Sequence, residues 1–150
     1  MYTIIKLQVL TMSSNSKIVK EIHRLSIMAA CLALISVATG AFGAHTLKST
    51  ITAERLNTWQ TGVEYLMMHA LAMLLLSRFK DSCDKNWLIW SLRSIFYGVI
   101  TFSGSLFLLV LLDIPILGAI TPVGGVLMIF GWLVFIIGLF KHGTSQDVSD

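Results

Sequence analysis

Leu106-Phe107-Leu108-Leu109-Val110-Leu111-Leu112 and Val126-Leu127-Met128-Ile129-Phe130-Gly131-Trp132-Leu133-Val134-Phe135-Ile136-Ile137-Gly138-Leu139 contain no ionisable side chain. Neither run alternates polar with apolar residues, as a membrane-barrel strand would. In hydrocarbon the backbone must satisfy its own hydrogen bonds, which leaves helices or closed barrels. These runs are therefore read as membrane-spanning helices.

Working outward, further stretches share this poverty of charge. No Asp, Glu, Lys or Arg lies between Arg24 and Lys48, and only Glu64 interrupts the interval from Arg55 to Arg78. The intervals from Arg93 to Asp113 and from Asp113 to Lys141 are equally bare. About 20 apolar residues at roughly 1.5 Å each cross a bilayer, so each interval is long enough. The expected spans are residues 25–44, 59–77, 91–112 and 121–140, inside a transmembrane domain of residues 25–140. Residues 1–24 form an N-terminal segment and 141–150 a tail. The fold expected is an all-α, multi-pass antiparallel bundle with no separate soluble domain.

Composition agrees. The 150 residues are 55% hydrophobic and 13% charged, with a mean hydropathy of +0.79, against roughly a quarter charged in soluble domains. A net charge of +3 is explained by topology rather than by nucleic-acid binding. Lys6, Lys17, Lys20, Arg24, Arg78, Lys80, Lys85, Arg93 and Lys141 fall on one side of the expected bundle, and Lys48 and Arg55 on the other. By the positive-inside rule both termini are expected in the cytoplasm. A bacterial plasma membrane is the simplest home.

The first span is longer than the usual 7 to 15 apolar residues of a cleavable signal and is read as retained. Met12 opens a polar stretch and is an alternative translation start to Met1; an intact mass that includes residues 1–11 would exclude it. Thr52 is placed as the cap of the second helix, with Glu54 in its first turn. Trp59 is expected as an interfacial anchor. Cys31 and Cys83 are too differently placed to suggest a disulfide.

Small residues recur on two helices. Ser36, Gly40 and Ala44 repeat every four residues along the first span, and Gly124, Gly131 and Gly138 every seven along the fourth. Lipid provides little drive for helix association, so close backbone approach at small residues is expected there, with Ser103 and Gly104 in the same part on the third helix.

The second helix carries the expensive groups. Gln60 and Glu64 are four apart, as are Tyr65 and His69, so each pair can share a face. An ionisable group within the membrane costs about 2.5 to 3.5 kcal/mol on insertion scales and normally faces protein or water. His45, Lys48 and Arg55 are the expected partners for Glu64. One reading of His45, Lys48, Gln60, Glu64, Tyr65 and His69 is a polar site that binds or transports a small solute or protons; the alternative is a structural or accessory subunit of a larger membrane complex. Either could involve a homo-oligomer, with the lipid bilayer as the constant partner. His45 and His69 invite a haem reading, which their separation in depth by roughly half a helix length disfavours. No nucleophile with its base, phosphate loop or zinc motif appears, so no catalytic residue, cofactor or metal is expected.

Three stretches together resemble one family: Gly40-Ala41-Phe42-Gly43-Ala44-His45 with Leu47-Lys48; Trp59-Gln60-Thr61-Gly62-Val63-Glu64-Tyr65 with His69-Ala70-Leu71; and Ile120-Thr121-Pro122-Val123-Gly124-Gly125 ahead of Gly131-Trp132. In these the chain resembles the YgdD-like small membrane proteins, domain-of-unknown-function family 423, over about residues 25–140. The resemblance implies a four-helix membrane protein and brings no reaction, substrate or catalytic residue. His45 and His69 match the family pattern more closely than Glu64 does.

Overall fold

The computed structural model describes the backbone of residues 2–147 and the side chains of residues 15–143. Whether translation begins at Met1 or Met12 lies outside the described residues. Four long helices follow in order: α1 (Tyr2–His45), α2 (Ala53–Leu76), α3 (Lys85–Leu112) and α4 (Thr121–Asp147). Short 3-10 turns at Leu47–Ser49, Ser77–Asp81 and Pro115–Ala119 join them, and no strand occurs among the described residues. Each helix contains a segment long and apolar enough to cross a membrane.

The helix ends follow from local chemistry. Thr52 is extended and its hydroxyl accepts from the Arg55 amide at 3.4 Å, as its cap role requires. α2 thus starts at Ala53 as one continuous helix, six residues ahead of the expected span. The Asp84 carboxylate accepts from the Asn86 and Trp87 amides at 3.0 and 3.3 Å, covering two orphan donors of α3. α3 ends at Asp113, which adopts a left-handed conformation (φ 58°). Aspartate tolerates this better than most residues, and Pro115 then prevents the helix from resuming. α3 and α4 therefore turn back on one another.

α3 is the hub of the bundle. It packs against α1, α2 and α4, while α1 also pairs with α2. Among the described residues α4 packs against neither α1 nor α2, so the bundle is open along one side of α3. Ile22, Leu25, Ala29 and Leu32 form the inward stripe of α1, meeting Leu66, Ala70 and Met73 of α2 and Leu88, Leu92, Ile95 and Val99 of α3. The opposite faces are apolar and bare, with Leu34 71% and Leu75 67% exposed. Such surfaces would be untenable in water and are what lipid contact requires.

The α3–α4 seam is backbone against backbone. A Cβ on Gly124 would sit 2.5 Å from the Phe102 nitrogen and 2.7 Å from the Gly98 carbonyl oxygen. One on Gly131 would lie 2.6 Å from Ile95 Cγ1 and 3.0 Å from the Ser91 carbonyl oxygen. At Gly138 it would meet Cys83 Sγ at 2.7 Å. The heptad of glycines thus runs along one contact line, and the opposing glycine on α3 is Gly98. Gly104, expected to share that role, has open space at its Cβ position, while Ser103 is buried.

Trp59 also departs from expectation. It is 3% exposed, and its indole N–H donates to the Thr39 carbonyl at 2.9 Å. Its ring lies 5.7 Å from Phe42 and 4.5 Å from Phe107. Gly43 makes this possible: a Cβ there would be 2.7 Å from the indole ring. The tryptophan fills a notch between helices rather than anchoring the bundle at an interface.

Candidate functional site

The six polar candidates do not form one cluster. Gln60 and Glu64 share one flank of α2 and line a groove of about 290 Å³ with Gly40, Gly43 and Ala44 of α1. The groove runs on between the two helices past Ser36, Val37, Ala41, Met68 and Leu71. Ser36 is fully buried at its base, its hydroxyl donating to the Val63 carbonyl at 2.9 Å. Gly40 faces Val63, whose Cγ1 would be 3.3 Å from an added Cβ. Ser36 and Gly40 thus serve close packing of α1 on α2, while Ala44 is exposed at the groove's mouth.

Tyr65 and His69 occupy the other flank of α2. The Tyr65 ring stacks on Phe102 at 4.4 Å and on His69 at 5.8 Å. His69 Nδ1 lies 3.0 Å from the Tyr65 carbonyl oxygen. A carbonyl only accepts, so Nδ1 is the donor in this contact. This pair is held against α3, away from Gln60 and Glu64.

None of the partners expected for Glu64 reaches it. Arg55 instead forms an ion pair with Asp113, closing the end of the bundle where α3 turns into α4. The reason is helical geometry: nine residues at about 100° each place Arg55 and Glu64 on opposite faces of α2, about 13 Å apart along its axis. His45 ends α1 and Lys48 sits in the following 3-10 turn, both exposed and beyond the groove. Glu64 is exposed, with no ion pair among the described residues.

A second ion pair joins α1 to α3, and no spacing within either helix indicates it. Arg93 Nη2 of α3 and Glu21 Oε1 of α1 are 2.8 Å apart, at the end of the bundle that carries the termini. The available signal was that Glu21 is the lone acid in a basic segment. Both cysteines are free. Cys83, in the turn before α3, is buried, and burial with the neighbouring Asp84 carboxylate pushes its thiol up to about 11. No group of three or more metal-ligating side chains gathers among the described residues.

The model of a protein family described as a protein of unknown function, DUF423, matches residues 39–125, from the base of the groove to the start of the glycine seam. A UPF0382 membrane protein of Staphylococcus saprophyticus is 45% identical over 117 residues, covering 77% of this chain and 95% of its own length. UPF0382 membrane proteins of Staphylococcus haemolyticus and of Staphylococcus aureus strain USA300 are 44% and 47% identical over the same length, each with 93% of its own chain covered. No solved structure matches the chain. With four spanning helices and relatives that are bacterial membrane proteins, the chain belongs to the DUF423 family of small integral membrane proteins.

Proposed function

We propose that this protein is an accessory subunit that assembles with another membrane-spanning helix through the α1–α2 groove. Glu64 carries the reading. It stands exposed one turn from Gln60, and the groove beyond it is lined by the exposed apolar side chains of Val37, Ala41, Met68 and Leu71. Left against lipid, an acid at this depth costs about 2.5 to 3.5 kcal/mol. A helix that brings a hydrogen-bond donor or a cation to Glu64 and Gln60 removes that cost, and the groove beside Gly40 and Ala44 lets it come close.

Extraction from native membranes in a mild detergent, followed by native mass spectrometry, tests this. The wild-type chain is expected in a discrete complex, and Glu64→Leu as a folded monomer. A wild-type monomer of unchanged mass with or without the substitution would overturn the reading.

The second reading, binding of a small solute or protons, draws on the same carboxylate and on the Tyr65–His69 stack. Glu64→Gln separates the two: it keeps the hydrogen bonds needed for assembly and removes the titrating group. We read the protein as non-catalytic, because the sequence carries no recognisable nucleophile–base motif. The bias of Lys and Arg toward the end carrying the termini supports a plasma-membrane protein with both ends in the cytoplasm. A fluorescent C-terminal GFP fusion and an inactive alkaline phosphatase fusion are the expected results.

A further inference from the structure

Because α1 and α4 flank α3 without meeting, the face of α3 between them is an open groove of about 420 Å³ at the end carrying the termini. Glu21, Arg24 and Met28 of α1, Arg93 and Tyr97 of α3 and Leu127 of α4 line it. We propose that this groove holds one anionic phospholipid of the adjacent leaflet, its phosphate against Arg24 and Arg93 and an acyl chain along Met28, Tyr97 and Leu127.

Charge selects the headgroup. The groove holds two guanidinium groups and one carboxylate: Glu21 is paired with Arg93 at 2.8 Å, and Arg24 has no partner among the described residues. One positive charge is therefore left over in the groove. Because α1 and α3 both run from the Asp84 end to the Asp113 end, the Glu21–Arg93 bond sets a common level. Met28 lies about 10 Å further along the α1 axis, toward the apolar centre. Arg24, three residues beyond Glu21 on α1, lines the same groove as Arg93.

Hydrocarbon selects the rest. The groove opens sideways, between helices whose outer faces are bare and apolar. Its occupant must be anionic at one end and greasy for the remainder, which describes a phospholipid and not a free phosphate. Trp90 and Tyr97, each 61% exposed, bracket the charged level on α3, where amphipathic rings meet the headgroup boundary.

The experiment is native mass spectrometry of the full chain released from nanodiscs containing equal phosphatidylglycerol and phosphatidylcholine. Wild-type protein is expected to retain phosphatidylglycerol preferentially, by about fivefold for each arginine engaged. Arg24→Gln leaves the Glu21–Arg93 pair intact and is expected to lose about fivefold of that preference. Leu127→Trp fills the groove without touching a charge and is expected to lose the retained lipid altogether. Millimolar inorganic phosphate should not displace it. Equal retention of the two lipids, a preference that survives both substitutions, or displacement by phosphate alone would each overturn the proposal.

Discussion

The α3–α4 seam and the α1–α2 groove are both built on small residues, yet they end in opposite conditions. In the seam, Gly98, Gly124 and Gly131 bring two backbones so close that no added Cβ fits. In the groove, Ser36 and Gly40 draw α1 onto α2, and Glu64 with Gln60 is left at the surface beside them. A small-residue stripe thus marks close approach without saying whether the contact is completed inside the chain. The residues beside it carry that information: the atoms that face Gly98, Gly124 and Gly131 belong to no ionisable side chain, whereas the groove has Glu64.

The sharpest way to break this contrast is to widen the seam. Gly131→Leu drives a side chain into the Ile95 nitrogen and the Ser91 carbonyl, and backbone cannot step aside as a side-chain tip can. A loss of about 3 kcal/mol or more is expected, read as a lowered midpoint of thermal unfolding in detergent. An unchanged midpoint would mean that the seam is looser than described.

The thiol at the end of the seam comes next. With Cys31 replaced by Ala, alkylation of Cys83 should keep rising from pH 9 to about 11 instead of levelling near the ordinary thiol value of 9.0. At pH 8, a shift of this size leaves about 100-fold less thiolate. Folding raises this pKa, so the protonated thiol's contribution to stability is complete below pH 9.0 and is lost as the pH rises through about 11. A plateau near pH 9 would place Cys83 in water.

Trp59→Phe keeps the ring in its notch at Gly43 but removes the hydrogen bond to the Thr39 carbonyl. A loss of about 1 to 2 kcal/mol follows; no change in the unfolding midpoint would return Trp59 to the interfacial role its residue type suggests. The smallest effect has the opposite sign. Gly104→Ala enters open space and should raise helix stability by up to about 1 kcal/mol, whereas Gly98→Ala, six residues earlier on the same helix, should destabilise.

Four helices and their turns were legible in the sequence because charge-free intervals, Thr52, Asp113 and Pro115 are local signals. So was the heptad on α4, since Gly124, Gly131 and Gly138 lie on one face whatever the partner. The opposing Gly98, the burial of Trp59 and the Arg55–Asp113 and Glu21–Arg93 pairs were not. Each depends on how one helix is rotated and slid against another, which spacing within a single helix does not encode. The same holds at the candidate site. The pairs Gln60–Glu64 and Tyr65–His69 were readable as i, i+4 neighbours, but their separation onto two flanks of α2 became visible only once Phe102 and Gly40 were seen on either side.

The claim that the groove is covered by another membrane helix is tested most directly by photocrosslinking in intact native membranes. One probe is placed at Met68, within the groove, and a control at Val126, on the lipid-facing side of α4. A single adduct of protein mass is expected from position 68, none from position 126, and loss of the first when Glu64 is changed to Leu. Lipid adducts alone from both positions would contradict it.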